Sequence, residues 1–317
     1  MHYNHLTREQ RYAICLGLQE GKSQKAIARQ LNVHPSTICR EIKRNSTRLG
    51  RYSWRMAQES ADIRKERMPG NRRIDSNVLK EALHLLKTED WSPKQISGYL
   101  SLRSIRISHE TIYKRIREDG SGELRRHCRH KMKYRHHVKA ARKTRATNIP
   151  DRKSIHDRPA EADGHRFGDW EMDLIIGKGQ KSAILTLCER SRNYLLMARL
   201  SYGKNPEKVA DTVIRLLLPY RKNVLTLTTD NGSEFACHKK IAKALATTVY
   251  FADSYASWQK GAIENMNKLI RQYIPKGTDF RMLTDKFIKE VQYKINRRPR
   301  EKLNFSTPKK EFFKLIS

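Results

Sequence analysis

The hydrophobic pattern of this chain changes at Pro159, and the change divides the sequence into two kinds of structure. Before Pro159, apolar residues recur at helical spacing in a strongly charged background. After it, apolar runs appear that are typical of strands, namely "DWEMDLIIG", "SAILTLCER" and "NYLLMARLS". A chain of 317 residues is long enough for two or three domains. We therefore predict helical modules followed by a mixed α/β domain.

Residues 6–45 have the spacing of a helix-turn-helix unit. The first helix is predicted to begin at Thr7, which forms a capping-box pattern with Gln10, and to stop at Gly21. A short second helix follows, and Pro35 fits the first turn of a third. The outward face of that third helix carries side chains that can contact phosphates and base edges: Ser36, Thr37, Arg40, Lys43 and Arg44. A helical bundle that binds a protein is the alternative for this domain, which spans 1–47.

A similar pattern recurs further along the chain. "SPKQISGYL" and "SHETIYKRIRE" place Ile96, Leu100 and Ile112 in inward positions like those of the first module, although the connecting turn is longer. The outward residues of the second segment would be Lys114, Arg115 and Arg117. We expect a second helix-turn-helix-like module at 77–119, and a purely structural pair of helices is the alternative.

The net charge of +33 arises from 66 Lys and Arg against 33 Asp and Glu. Bases in such excess neutralise phosphates and predict binding to nucleic acid, whereas the alternative is a merely solvated surface. Two basic linkers are expected, at 48–76 and 120–160. The second linker contains Cys128, His130, His136 and His137, which could bind zinc, but their spacing fits no familiar zinc finger.

The five cysteines are scattered and form no CxxC pair. This pattern indicates a reduced, intracellular protein. The sequence shows no apolar segment of the kind needed for export or for spanning a membrane. We expect a cytoplasmic location.

The domain after Pro159, predicted to span 161–317, reads as three antiparallel strands followed by alternating helices and strands. A helix over 206–218 leads to the strand "VLTLTTD", and a helix over 239–246 leads to the strand "TVYFAD". A long helix and a last helical segment, 282–297, precede a basic tail. The prediction is a mixed five-stranded sheet with flanking helices.

Three carboxylates occupy conspicuous positions in this domain. Asp173 lies inside an apolar strand, Asp230 ends another strand, and Glu264 lies on the long helix. A carboxylate within an apolar strand is costly unless it is hydrogen-bonded or bound to a cation. Three carboxylates in one pocket beside a phosphodiester could hold two Mg²⁺ about 4 Å apart. Asp169 and Glu171 are close competitors, and Glu171 shares a strand face with Asp173, but Asp173 lies deepest in the run.

Several polar residues surround Glu264. Lys260, Lys268 and Arg271 stand at i−4, i+4 and i+7 from it, where they could pair with it or bind phosphate. Asn265 and Asn267 could orient the acid, contact the DNA backbone, or be ordinary polar helix residues. A surface helix rich in ion pairs is the alternative for this whole segment.

Taken together, these segments resemble the DDE transposases of the insertion sequence 30 family. The resemblance is carried by "WEMD", "TDNGSEF" and "WQKGAIENMNKLIRQYIPKG", by the tail "INRRPREKLNFSTPKKEF", and by the N-terminal "LTREQRYAICLGLQEGKSQKAIARQLNVHPSTICREI". It implies a ribonuclease-H-like core in which Asp173, Asp230 and Glu264 are the catalytic, metal-binding triad. It also implies cleavage at element ends and joining of the 3′-hydroxyl to target DNA, with two Mg²⁺ that Mn²⁺ can replace.

The expected partners are double-stranded DNA, both terminal inverted repeats and target, and further copies of this chain, because two ends must be brought together in at least a dimer. The expected setting is a bacterial nucleoid. The alternative function is a DNA-binding transcriptional regulator or a catalytically inactive transposase relative. A retroviral-type integrase would require an N-terminal HxxxH and CxxC module, which this sequence lacks.

Overall fold

The computed structural model describes residues 5–47, 49–66, 74–132, 149–180, 182–254 and 256–316. These form two compact units that divide after Asp75. Part of each predicted linker, including His136 and His137 of the zinc alternative, lies outside the described residues. Among the residues that are described, no helix is both long and apolar enough to cross a membrane.

The described part of the first unit contains four helices, α1 Arg8–Gln19, α2 Gln24–Gln30, α3 Pro35–Asn45 and α4 Trp54–Glu66. Thr7 and Gln10 form the predicted capping box at the start of α1. Ile14, Ile27 and Ile38 are fully buried where the first three helices meet. Gly17 allows α1 and α2 to approach closely, because a Cβ there would lie 2.8 Å from Ile27 Cγ1. The predicted helix-turn-helix is therefore present.

Helix α4 lies inside the segment 48–76 that we expected to be a linker. It packs on α1, where the Trp54 ring meets Tyr12 edge-on with 5.7 Å between centroids. Ala57 and Ala61 are buried, and Gln58 accepts a hydrogen bond from Arg11 at 2.8 Å. The arginine-rich composition concealed this helix, because its apolar stripe consists largely of alanine.

The second unit begins with the helices α5 Ser76–Glu89, α6 Pro93–Ser101, α7 His109–Glu118 and α8 Glu123–Arg126. Ser92 and Gln95 form a capping box at the start of α6. Ile96, Leu100, Ile112 and Ile116 are fully buried between α6 and α7, in positions like those of the first module. Both predicted helices therefore form, and α5 packs against both of them.

The sheet that follows has six strands, β1 Lys153–Ser154, β2 Asp169–Ile176, β3 Ala183–Glu189, β4 Tyr194–Leu200, β5 Thr226–Thr229 and β6 Thr248–Phe251, in the order β1-β6-β5-β2-β3-β4. The predicted meander is confirmed, since β2, β3 and β4 pair antiparallel. Strands β5 and β6 add in parallel on the other side of β2. The prediction of five strands was one short, because β1 has two residues and shows no periodicity; it lies in the segment expected as the second linker.

Five helices cover the sheet, α9 Pro206–Leu217, α10 His238–Leu245, α11 Gly261–Tyr273, α12 Asp285–Arg297 and α13 Pro308–Phe313. Helices α9, α10 and α13 pack on the face that carries Trp170 and Met172. Helices α11 and α12 pack on the opposite face. An antiparallel meander extended by parallel strands, with helices on both faces, is the ribonuclease-H-like arrangement that we expected. Strand alternation directs Glu171 and Asp173 toward α11.

The module formed by α5–α8 contacts the sheet domain through α6 and through the residues that follow α5 and α8. The Phe305 ring fills the space beside Gly98 of α6, where a Cβ would lie 2.1 Å from the ring. Lys294 Nζ lies 3.3 Å from Asp90 Oδ2, and Gln272 Nε2 donates to the carbonyl of His127 at 2.9 Å. The second helix-turn-helix-like module is thus held against the sheet domain by an aromatic contact and by polar bonds.

Candidate active site

Asp173 and Asp230 lie side by side at the centre of the sheet. Strands β2 and β5 run parallel, with Glu171 opposite Thr228. If this register is continued by two residues, Asp230, which follows the end of β5, stands beside Asp173. Asp230 Oδ1 accepts a hydrogen bond from the N–H of Gly232 at 3.1 Å, which fixes its orientation at the turn.

Glu264 lies on α11 and lines the same pocket. This pocket has a volume of about 260 Å³ and is lined by Asp173, Asp230, Ala252, Asp253, Ala256, Lys260, Ile263 and Glu264. The three predicted carboxylates therefore line one pocket, although they come from β2, from the residue after β5 and from α11, which are far apart in sequence. The Glu264 side chain remains partly exposed and pairs with Lys268 at 2.8 Å.

Lys260 bridges the two aspartates. Its Nζ lies 3.3 Å from Asp173 Oδ1 and 3.2 Å from Asp230 Oδ2, and the residue is only 8% exposed. Burial alone would lower the pKa of Lys260, but the two carboxylates outweigh burial and the pKa is raised. Burial raises the pKa of Asp173, an effect that Lys260 opposes and Asp230 reinforces. We predicted that Lys260 contacts either Glu264 or phosphate, and in the structure its partners are the two aspartates.

Asn267 fixes the second oxygen of Asp173. Its Nδ2 donates to Asp173 Oδ2 at 2.7 Å, and its Oδ1 accepts from Thr186 Oγ1 at 3.1 Å. Thr186 stands opposite Asp173 on β3, so it reaches the strand and the helix together. The sequence had suggested Asn267 as an orienting residue for Glu264, whereas it orients Asp173. Thr186 carried no recognisable signal in the sequence.

Glu171 and Asp169, the two competitors of Asp173, have structural partners. Glu171 is 1% exposed, its Oε1 pairs with Arg190 Nε at 2.9 Å, and its Oε2 accepts from the N–H of Ile263 at 2.8 Å. Burial raises the pKa of Glu171, although the Ile263 N–H and Arg190 favour its ionised form. Asp169 is fully buried between Arg166 and Thr226. Neither side chain lines the pocket.

Arg271, predicted to bind DNA, is engaged with the protein. Its guanidinium donates to the carbonyls of Pro275 at 3.2 Å and Ile176 at 3.3 Å, which ties the end of α11 to the end of β2. Burial lowers the pKa of Arg271. The structure therefore brings Arg271 close to the sheet but gives it backbone partners.

The described residues contain no group of three or more His, Cys, Asp or Glu side chains arranged to hold a metal ion. The chemistry of the pocket nevertheless fits one. Oxygens of Asp173 and Asp230 already converge on a single cation, the Lys260 ammonium, and carboxylate oxygens are the ligands that Mg²⁺ prefers. A metal could use this pair only if the ammonium moved away.

The predicted DNA-contacting residues of the helical modules differ in exposure. On α3, Arg40, Lys43 and Arg44 are exposed, whereas Ser36 and Thr37 are half-buried. On α7, Lys114, Arg115 and Arg117 are exposed but pair with glutamates of the same helix, namely Glu118 and Glu110. The basic face of α3 is therefore the more open of the two.

The family model described as a helix-turn-helix domain matches residues 2–45. The chain is 42% identical over 318 residues to the transposase for insertion sequence element IS4351 of Bacteroides fragilis, which covers 99% of this chain and 97% of that protein. It is 38% identical to the transposase InsI for insertion sequence element IS30A of Escherichia coli K12, covering 96% of this chain and 82% of the relative. The transposase for IS1086 of Cupriavidus metallidurans is 34% identical, with coverages of 96% and 93%.

Among solved structures, the catalytic core domain of BIV integrase matches with a TM-score of 0.38 and 18% identity. That match covers 48% of this chain and 97% of the integrase core.

Proposed function

This chain belongs to the insertion sequence 30 family of transposases, and on that premise we propose that it binds the ends of an insertion sequence, cleaves them, and joins the 3′-hydroxyl to target DNA. The observation that carries the proposal is the convergence of Asp173, Asp230 and Glu264 on one pocket of a ribonuclease-H-like fold. A protein that only bound DNA would have no need for Asp173 and Asp230 side by side, since placing two like charges together is costly.

In this proposal the three carboxylates hold divalent metal, Mg²⁺ or Mn²⁺. Divalent metal bound there would supply activation of the attacking water or 3′-hydroxyl and stabilisation of the leaving oxygen. The protein's own contribution is orientation. Asn267 holds one oxygen of Asp173, and the N–H of Gly232 holds one oxygen of Asp230. Glu264 is partly exposed, so its carboxylate can exchange Lys268 for a metal ion.

DNA binding is assigned to the first module, with α3 in the major groove. Arg40, Lys43 and Arg44 form its exposed basic face, and the net charge of the whole chain, +33, adds attraction to phosphate. The second module would contact DNA through Lys114, Arg115 and Arg117 only if their pairs with Glu110 and Glu118 opened. Two ends must be joined in one event, so the active form is at least a dimer.

The test is strand cleavage on a labelled fragment that carries the element end. Wild-type protein with Mg²⁺ should give a specific 3′-hydroxyl product, whereas Glu264→Gln and Asp173→Asn should give none and still bind the fragment. Glu207→Gln is the matched control, since Glu207 is exposed in the first turn of α9 on the other face of the sheet. Equal cleavage by wild type and Glu264→Gln would exclude Glu264 as a metal ligand. Tight binding without cleavage by wild type would favour a regulator or an inactive relative.

A further inference from the structure

The side chain of Lys260 is in an unusual place for a lysine. Lysine is among the residues least often buried, and its stem usually lets the ammonium reach water. Here the ammonium is enclosed with the residue 8% exposed, between carboxylate oxygens at 3.3 and 3.2 Å. Burying this charge is tolerated only because two opposite charges receive it.

The position of Lys260 on its own helix adds to this cost. It is the residue directly before α11, so its charge lies at the positive end of the helix dipole. A cation is unfavourable there, and capping residues are normally Ser, Thr, Asp or Asn. Lys260 directs its side chain to the two aspartates instead of capping the helix, and Glu171 supplies the capping oxygen from β2. Lys260 therefore places its ammonium between the two aspartates at the start of α11, where a cation is otherwise unfavourable.

We propose that Lys260 is a built-in substitute cation, which holds Asp173 and Asp230 together in the metal-free protein and must be displaced when a divalent ion binds. The proposal rests on the function proposed above, in which these aspartates are metal ligands. An ammonium 3.3 and 3.2 Å from the two oxygens and a Mg²⁺ ion that requires oxygens at about 2.0–2.1 Å cannot share the space between them.

Two consequences follow from this competition. The ammonium offsets the repulsion between the two aspartates while no metal is bound, so the pocket stays formed before metal arrives. The affinity for metal is also lowered, because the ion must replace a cation that is already paired. Once displaced, the tethered ammonium is free to contact a DNA phosphate beside the pocket. Binding of metal and of DNA then favour each other, and this coupling is reciprocal.

The first experiment measures Mn²⁺ binding to the full chain without DNA, by the loss of the free-ion electron paramagnetic resonance signal. Lys260→Met should bind Mn²⁺ more tightly than wild type by on the order of tenfold, because a competing unit charge within 4 Å has been removed. Lys240→Met is the matched control and should equal wild type, since Lys240 pairs with Asp211, outside this pocket. Asp230→Asn should lose the site.

The outcomes separate this inference from the proposed function. If wild type and Asp230→Asn bind Mn²⁺ equally, the metal site itself is refuted. If Asp230→Asn loses binding while Lys260→Met binds no more tightly than wild type, only the substitute-cation role is overturned.

A second measurement needs no variant and remains decisive if Lys260→Met does not fold. Wild-type protein is treated with an amine-acylating reagent with and without Mn²⁺, and the modification of individual lysines is read by mass spectrometry. Lys260 should become more reactive when Mn²⁺ is present, whereas Lys240 should react equally in both samples. Unchanged reactivity of Lys260 at saturating Mn²⁺ would show that the ammonium stays in place, contrary to the proposal.

Discussion

Glu171 on β2 accepts a hydrogen bond at 2.8 Å from the backbone N–H of Ile263, in the first turn of the helix that carries Glu264. The first N–H groups of a helix have no partner within it, and a carboxylate there also favours the helix dipole. The same Glu171 pairs with Arg190 from the turn after β3. One buried carboxylate therefore fixes the start of α11 against the sheet.

Glu171→Ala should lower the free energy of unfolding by about 3–5 kcal/mol, the usual cost of leaving a buried charge without its partner. Arg190 would be that charge, since its side chain is 13% exposed. Cleavage should fall as well, because α11 loses its anchor and Glu264 moves with it. Urea unfolding of the full chain and end cleavage under native conditions measure the two effects.

Glu171→Gln provides the contrast, because its amide oxygen can still accept from Ile263. It should retain more of both stability and cleavage than the alanine variant. If both variants lost cleavage completely while remaining fully stable, Glu171 would be acting in the chemistry and its assignment as an anchor of α11 would be wrong.

Asn267→Ala should reduce cleavage by about 10–100-fold, the typical effect of removing a residue that orients a metal ligand. The variant removes the bond from Nδ2 to Asp173 Oδ2 and leaves Thr186 without its side-chain acceptor. End binding should be unchanged. Asn265→Ala is the matched control, because Asn265 is exposed two residues away on the same helix. Equal cleavage rates for Asn267→Ala and Asn265→Ala would show that orientation of Asp173 by Asn267 does not matter for cleavage.

That Asp173, Asp230 and Glu264 line one pocket could be predicted because Asp173 interrupts an apolar strand and Asp230 ends another, while Glu264 was joined to them by the resemblance. The choice between Asp173 and Glu171 was harder, since both lie on one face of β2. The groups that distinguish them are remote in sequence. Glu171 is bonded to Arg190 and to the first turn of α11, whereas Asp173 lines the pocket. No local pattern encodes that difference.

The partners of the basic residues around Glu264 could not be predicted from the sequence either. Lys260, Lys268 and Arg271 have similar spacing from the acid, so the sequence treats them alike. In the structure only Lys268 pairs with Glu264, while Lys260 joins the two aspartates and Arg271 donates to carbonyls. The partner of a long flexible side chain depends on which groups the tertiary structure brings near it. Strand β1 escaped prediction for a different reason, because two residues are too few to show a period.

Gly98→Ala should destabilise the second unit by about 1–3 kcal/mol, the usual cost of overpacking. The added Cβ would lie 2.1 Å from the Phe305 ring, where α6 packs against the sheet domain. Limited proteolysis should then cleave helices α5–α8 faster than in wild type. Gly120→Ala is the control, since a Cβ at Gly120 meets nothing within 4 Å. Equal protease resistance of the two variants would mean that the contact with Phe305 adapts without cost.

Arg40→Ala should weaken binding to the element end by about 1–3 kcal/mol and relax the preference at one base position, if Arg40 reads a base from α3. Lys43→Ala should instead weaken binding to all sequences alike and reduce the salt dependence by about one unit of slope, as expected for a phosphate contact. Both side chains are exposed on the same helix, so their loss should leave the fold unchanged. Binding measured on the end fragment and on unrelated DNA, over a range of salt, distinguishes the two roles. An unchanged affinity and footprint for Arg40→Ala would remove it from the residues that read the end, and recognition would then have to come from the neighbouring Arg44 or from the half-buried Ser36 and Thr37.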